Sequence, residues 1–125
     1  MTQTVALAPV LAEHIAAVNA FDEDAIVATF ADDALVNDAH REFWGHKAIR
    51  RWVAREMTGD RVTIDVTEVI EHHGDAIVRG RYDGTFDKTN LPDELVLTNY
   101  FTVRDRKIVT LIVTLIVIRN TPASY

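Results

Sequence analysis

Three polar residues stand where the surrounding pattern calls for apolar ones, and as a set they could move a proton next to a carbonyl group. Asp38 lies near the end of the stretch FADDALVNDAH (residues 30–40), in phase with Val36. His14 sits at helical spacing among Val10, Leu11, Ile15 and Val18. Asn99 alternates with Leu95, Leu97, Phe101 and Val103. Burying a polar group costs on the order of 1–3 kcal/mol unless it finds a partner, so each position needs a reason. A carboxylate inside an apolar pocket becomes a competent general base near neutral pH. A nearby His or Asn can donate a hydrogen bond to a carbonyl oxygen as it gains charge, which stabilises an enolate. The plain alternatives are a satisfied core histidine, a satisfied core asparagine and a loop acid capping a turn. Three such residues in one apolar shell point to a lined pocket, although spacing alone does not bring their faces together.

Other chemistries have weaker support. The chain has no cysteine, so thiolate chemistry and disulfides are excluded, and no serine sits in a strand-turn-helix elbow. His40, Phe43, Trp44 and His46 follow Asp38 closely; they would line a pocket mouth and stack on a flat substrate, or pack over a third helix. His72 and His73 beside Gly74 look like a metal handle, but adjacent strand residues point to opposite faces, and no metal is expected. Arg79 and Arg81 alternate with Val78 and Tyr82. Facing inward they would hold an anion; we expect a solvated outer row. Tyr82 and Tyr100 are candidate hydroxyl donors, with core packing the preferred reading.

These residues need elements to carry them. Pro9 suits a first helical turn, and the apolar spacing predicts a helix from Pro9 to Ala20. Asp22 is a good N-cap for a second helix, with Glu23 and Asp24 at its positive end and Phe21 able to staple onto Ile26. The segment Phe30 to Asp33 reads as that helix's end. A third helix follows Gly45, with Ile49, Trp52, Val53 and Met57 on its apolar side. Beyond Arg61 the period becomes two: RVTIDVTEV, IVRGRYDGTF, LVLTNYFTV and IVTLIVTLIVI form a long antiparallel meander. A slip of phase between Val66 and Val69 predicts a bulge, and residues 87–94 form a loop. In the last strand Val109, Leu111, Val113, Leu115 and Val117 form one apolar face. Ile108, Ile112, Ile116 and Ile118 make the other face too apolar to be left wet. Helices can cover one side of the sheet and a second copy of the chain the other, so a homodimer through the outer sheet face is expected.

The 125 residues are 48% hydrophobic and 26% charged, with a net charge of −6, which fits one α+β domain over residues 1–125 with a single sizeable core. The acidic balance argues against nucleic acid and anionic membranes as partners. RRWVAR, the one dense basic run, reads as the wet side of an amphipathic helix. No stretch is long and apolar enough to span a membrane, and the N-terminus has no basic opening, so no secretory signal is expected. A reducing cytoplasm fits these features.

The sequence also resembles the nuclear transport factor 2-like superfamily, in its SnoaL-like and ketosteroid isomerase-like branch. VNAFDEDAIVATFADDALVND is similar to that family's first two helices and opening strand, WGHKAIRRWV to its third helix, and VLTNYFTVRDRKIVTLIV to its closing strand pair. The resemblance implies a cone-shaped barrel, a strongly bent antiparallel sheet wrapped around three N-terminal helices with a deep pocket at one end, commonly paired through the outer sheet face. It places Asp38 at the proton-shuttling aspartate of ketosteroid isomerases. His14 stands where those enzymes carry an oxyanion-hole tyrosine, Asn99 where they carry a protonated aspartic acid, and Leu115 where an aromatic residue is common. The base is kept and both donors are changed, which implies enolate chemistry on a substrate other than a steroid, or an aldol closure of the polyketide cyclase kind. The expected catalytic set is Asp38, His14 and Asn99. The expected pocket wall is Val18, Val36, His40, Phe43, Trp44, Trp52, Leu97, Phe101, Leu111, Val113 and Leu115. The ligand would be small, apolar and carbonyl-containing, and no cofactor is expected. A water-positioning arginine between two carboxylates, as in epoxide hydrolases of this fold, cannot be placed because no inward arginine is evident. The alternative from another class is a non-catalytic binding or dimerisation module of the same fold.

Overall fold

Helix α1 (Pro9–Asn19) begins at the expected proline, whose missing amide hydrogen is no loss in a first turn. The computed structural model describes residues 7–115; the expected extension of the last strand through Ile116, Val117 and Ile118 lies outside them. Val10, Leu11, His14, Ile15 and Val18 of α1 are buried on one face. The helix stops where Phe21 takes a left-handed φ of 56° and the Asp22 amide donates back to the Ala17 carbonyl. Asp22 then caps α2 (Glu23–Ala28), accepting from the Ala25 amide at 3.1 Å.

The chain next departs from its expected course. Phe30 to Asp33 do not end a helix; they begin strand β1 (Phe30–Asp38). Phe30 is buried and pairs with Ile108, so tertiary pairing overrides the local helical pattern. Ala39 and His40, both at positive φ, make a two-residue turn into the short strand β2 (Arg41–Trp44). Helix α3 (Gly45–Trp52) follows and widens into a π turn over Val53–Met57, closed by the Thr58 amide on the Val53 carbonyl. Ile49, Trp52, Val53 and Met57 are all buried, as their spacing requires.

Strands β3 (Thr63–His72), β4 (Asp75–Asp83), β5 (Val96–Arg104) and β6 (Lys107–Leu115) form the antiparallel meander. The sheet order is β2-β1-β6-β5-β4-β3, and β1 runs parallel to β6. The sheet is therefore mixed, because β1 joins the open edge of the meander from a distant part of the chain where no hairpin sets its direction. The predicted bulge lies between Val66 and Glu68, beside Gly80. A Cβ on Gly80 would stand 2.7 Å from Ile64 Cγ2, so this close approach needs glycine. A second bulge leaves Val109 without a partner on β5. It turns Ile108 into the core, so the inner face of β6 is Ile108, Leu111 and Val113 rather than an unbroken odd-numbered row.

Helix α1 contacts both β3 and β6. In a flat sheet these strands would lie roughly 14 Å apart, so the sheet curls around the helices, forming an α+β cone that is open rather than closed. Phe30, Val36, Ile49 and Val78 are fully buried in the core beneath it. On the outside, Tyr100 and Ile112 lie opposite each other and are exposed, as is Ile70. Among the described residues no helix is long and apolar enough to cross a membrane.

Candidate functional site

The wide end of the cone holds a cavity of about 350 Å³, and His14, Asp38 and Asn99 all line it. Three elements far apart in sequence supply them: the inner face of α1, the last residue of β1 and the middle of β5. Alternation along β1 carries Asp38 to the same side as buried Ala34 and Val36. The strand runs out there, so Asp38 reaches the cavity while Val36 is sealed beneath it.

The Asp38 carboxylate is held through one oxygen. Oδ2 accepts from Trp52 Nε1 at 3.0 Å and from Arg41 Nη2 at 3.2 Å. Oδ1 has no partner among the described residues. Arg41 is in turn clamped on Glu56 by two bonds of 2.7 and 2.8 Å, so the cavity mouth carries a carboxylate-arginine-carboxylate row.

His14 is buried between the edges of Phe30 and Phe101, with ring centroids 5.4 and 5.5 Å away. Burial pushes its pKa down to about 4, so the ring is neutral at pH 7. Its Nδ1 lies 3.0 Å from Thr29 Oγ1, which lies 2.6 Å from the Ile26 carbonyl oxygen. Two oxygens that close need a proton between them, and only the hydroxyl can supply it. Thr29 therefore accepts from His14, the ring proton sits on Nδ1, and Nε2 bears a lone pair. In that tautomer His14 Nε2 can accept a hydrogen bond from a ligand, whereas donation to an oxyanion would need the proton on Nε2. Asn99 Nδ2 donates to the Val78 carbonyl at 3.2 Å, and its Oδ1 accepts from the Tyr82 hydroxyl at 2.8 Å. Burial first, and the charge of Asp38 as a lesser cause, push the Tyr82 phenol above its usual pKa against the opposing pull of the Asn99 bond.

Trp52, Leu97, Leu111, Val113 and Leu115 line the cavity. The other expected wall residues lie elsewhere. Val18, Val36 and Phe101 are core residues behind the wall, with Phe101 supporting the His14 ring. His40 and Trp44 are exposed, because β2 is the sheet's edge strand and their side chains are left outside the cavity that Arg41 of the same hairpin lines. Phe43 packs behind Trp52 at 6.0 Å. His46 bonds the Phe30 carbonyl from the start of α3. Arg79 and Arg81 pair with Glu68 and Glu94 away from the cavity. The His72 and His73 rings do not diverge but meet at 4.2 Å, because His73 leaves the strand with positive φ. No group of side chains among the described residues could hold a metal ion.

Sequence reasoning did not place Arg41, Glu56 and Asp60 at the mouth, or Val62, Ile64 and Phe86 in the wall. Arg41 comes to Asp38 through a hairpin whose Ala-His turn lacks the usual Asn-Gly signature. Glu56 lies four residues beyond Trp52, a spacing that could have put both on one helical face.

The sequence matches the SnoaL-like domain family over residues 11–111. No curated protein matches it. Among solved structures it is similar to a candidate polyketide cyclase from Sinorhizobium meliloti, at 28% identity over 86% of this chain and 95% of that one, with a TM-score of 0.77. A protein with a ketosteroid isomerase-like fold from Catenulispora acidiphila, in complex with trimethylamine, shares 17% identity over 87% and 86% of the chains at a TM-score of 0.75. A candidate ketosteroid isomerase from Kribbella flavida shares 14% over 92% and 81% at 0.74. The last two likenesses concern the fold alone. With its family match covering most of the chain, the protein belongs to the SnoaL-like domain family.

Proposed function

We propose that this protein is a small-molecule enzyme that transfers a proton at a carbon next to a carbonyl, with Asp38 as the shuttle. The observation that carries the reading is the anchoring of Asp38: Oδ2 is fixed by Trp52 and Arg41, and Oδ1 has no partner among the described residues on the wall of a largely apolar cavity. Oδ1 takes the proton from carbon, and the C–H electrons move onto the carbonyl oxygen. Asn99 Nδ2 has one N–H beyond its bond to Val78 and is the donor for that oxygen. Returning the proton to another carbon gives isomerisation; attack of the enolate carbon on a second carbonyl opens its C=O bond to an alkoxide, which takes the proton back from Asp38, and gives cyclisation. The name of the structure from Sinorhizobium meliloti supports the second outcome.

The test is exchange of carbon-bound hydrogen for deuterium in a panel of cyclic ketones and β-diketones, followed by NMR. General-base catalysis contributes roughly 10²–10⁴-fold, so Asp38→Asn should lower the enzyme-dependent exchange by at least about a hundredfold with the fold intact. Equal exchange in wild type and Asp38→Asn would remove the enzyme reading and leave a binding module. Arg41 between Asp38 and Glu56 favours a second reading, in which the row activates a water molecule to open an epoxide. Hydration of styrene oxide that depends on Arg41, without ketone exchange, would establish it. We also propose that two copies of the chain pair over the outer sheet face around Tyr100 and Ile112; sedimentation as a monomer at micromolar concentration would refute this.

A further inference from the structure

The inner end of the cavity has an unusual balance of donors and acceptors. The Thr29 proton is used on the Ile26 carbonyl, so the only proton on the neutral His14 ring is used on Thr29. Val78 offers a carbonyl, which can only accept, so the Asn99 amide must point its nitrogen there and its oxygen at Tyr82. The single Tyr82 proton is then used on Asn99. Trp52 spends its N–H on Asp38. His14 Nε2 and the Tyr82 oxygen therefore have lone pairs but no hydrogens to offer a ligand. The second N–H of Asn99 is the one donor left among these groups. That N–H alone can serve an enolate oxygen; the rest of this end is built of acceptors.

We infer that the cavity selects ligands bearing a hydroxyl donor, a phenol or enol on a flat apolar ring, whose O–H is received by His14 Nε2. The walls fit such a ring: Trp52, Leu97, Leu111, Val113 and Leu115 supply the apolar surface, and a volume of about 350 Å³ is at the small end of ligand pockets, which run from about 300 to 1,000 Å³. Burial keeps His14 from protonating at neutral pH, which would otherwise turn Nε2 into a donor. Thr29 is a positioning residue, since it fixes the ring tautomer without lining the cavity. The inference rests on the cavity being a ligand site, as proposed above, but not on turnover.

Two probes differ only in the donor: 2-naphthol and 2-methoxynaphthalene, titrated calorimetrically into the full chain at pH 7. One hydrogen bond to an otherwise unpaired buried acceptor predicts about tenfold tighter binding of the naphthol. His14→Phe, which keeps a flat ring and removes the acceptor, should bring the two affinities together. Thr29→Val releases Nδ1 and lets the ring carry its proton on Nε2, so it should also erode the naphthol preference, even should His14→Phe fail to fold. Nitrogen NMR of the wild-type histidines, assigned with His14→Phe or, failing that, Thr29→Val, should show the Nδ1-protonated tautomer. Equal affinities, a preference for the ether, no binding of either probe, or a proton on Nε2 would each overturn the inference. Naphthol preference without ketone exchange would sink the enzyme reading alone, and ketone exchange without naphthol preference would sink this inference alone.

Discussion

At the inner end of the cavity His14 and Asn99 are uncharged and almost sealed from solvent, Tyr82 beside them is uncharged and part-buried, and hydrogen bonds decide where every one of their committed protons sits. At the mouth Asp38, Arg41 and Glu56 are charged, with side chains 25%, 49% and 25% exposed, and ion pairing holds them. The two ends lie a few side chains apart on the same wall, yet different physics governs each. Inside, water cannot replace a lost partner, so an unpaired group bears its full desolvation cost. At the mouth water competes for every contact, and a pair contributes little to stability while still aiming its members. The inner end therefore stores stability and selects the ligand, and the mouth aims the reactive carboxylate.

The largest effect expected from this contrast is on acid stability. His14 has a folded pKa of about 4 against an ordinary value of about 6.5. The folded state thus binds fewer protons than the unfolded state between these values, and stability rises with pH across that window. Burial of His14 is unpenalised above about pH 6.5, and the penalty grows as pH falls toward 4, reaching roughly 3 kcal/mol. Urea unfolding of wild type from pH 7 to 4 should show that loss, and His14→Phe should remove most of it. A wild-type profile that His14→Phe leaves unchanged would mean that the inner end is wetter than described.

A smaller effect tests the Asn99–Tyr82 pair. Asn99→Leu strands the Tyr82 hydroxyl in an apolar wall and should cost about 1–3 kcal/mol. Tyr82→Phe strands the Asn99 oxygen at a similar cost. The double variant leaves neither partner behind, so it should cost clearly less than the two singles together. Additive costs would show that the hydroxyl and the amide find other partners.

The same division governs how much could be read from sequence. The meander, the bulge after Val66, the Asp22 cap and the apolar face of α3 rest on local periodicity, which survives without knowledge of the fold. Asp38, His14 and Asn99 were visible because each breaks such a pattern. What periodicity could not supply was direction and partners: Phe30 enters a strand because Ile108 waits beside it, and β1 runs parallel to β6 because of where it docks. His14 Nε2 can accept from a ligand because Thr29, fifteen residues away, spends its proton elsewhere. Arg41 was hidden by an Ala-His turn that has no signature of its own.

The smallest effect belongs to the mouth, and it is the one most able to break the contrast. Glu56→Gln keeps the side chain's shape and removes one charge from the row. Arg41 remains half-exposed and keeps its bond to Asp38, so the loss of stability should be under about 1 kcal/mol and should shrink further in high salt. Arg41→Met removes the clamp on both carboxylates; Trp52 still holds Oδ2 of Asp38, so stability should again change little. Aim is another matter, because only one of the two anchors of that carboxylate is left. Any exchange activity found in wild type should fall more in Arg41→Met than in Glu56→Gln, while the unfolding midpoints of both stay close to wild type. If either variant instead costs as much as Asn99→Leu, the mouth is as dry as the inner end, and its charges are structural as well as aiming.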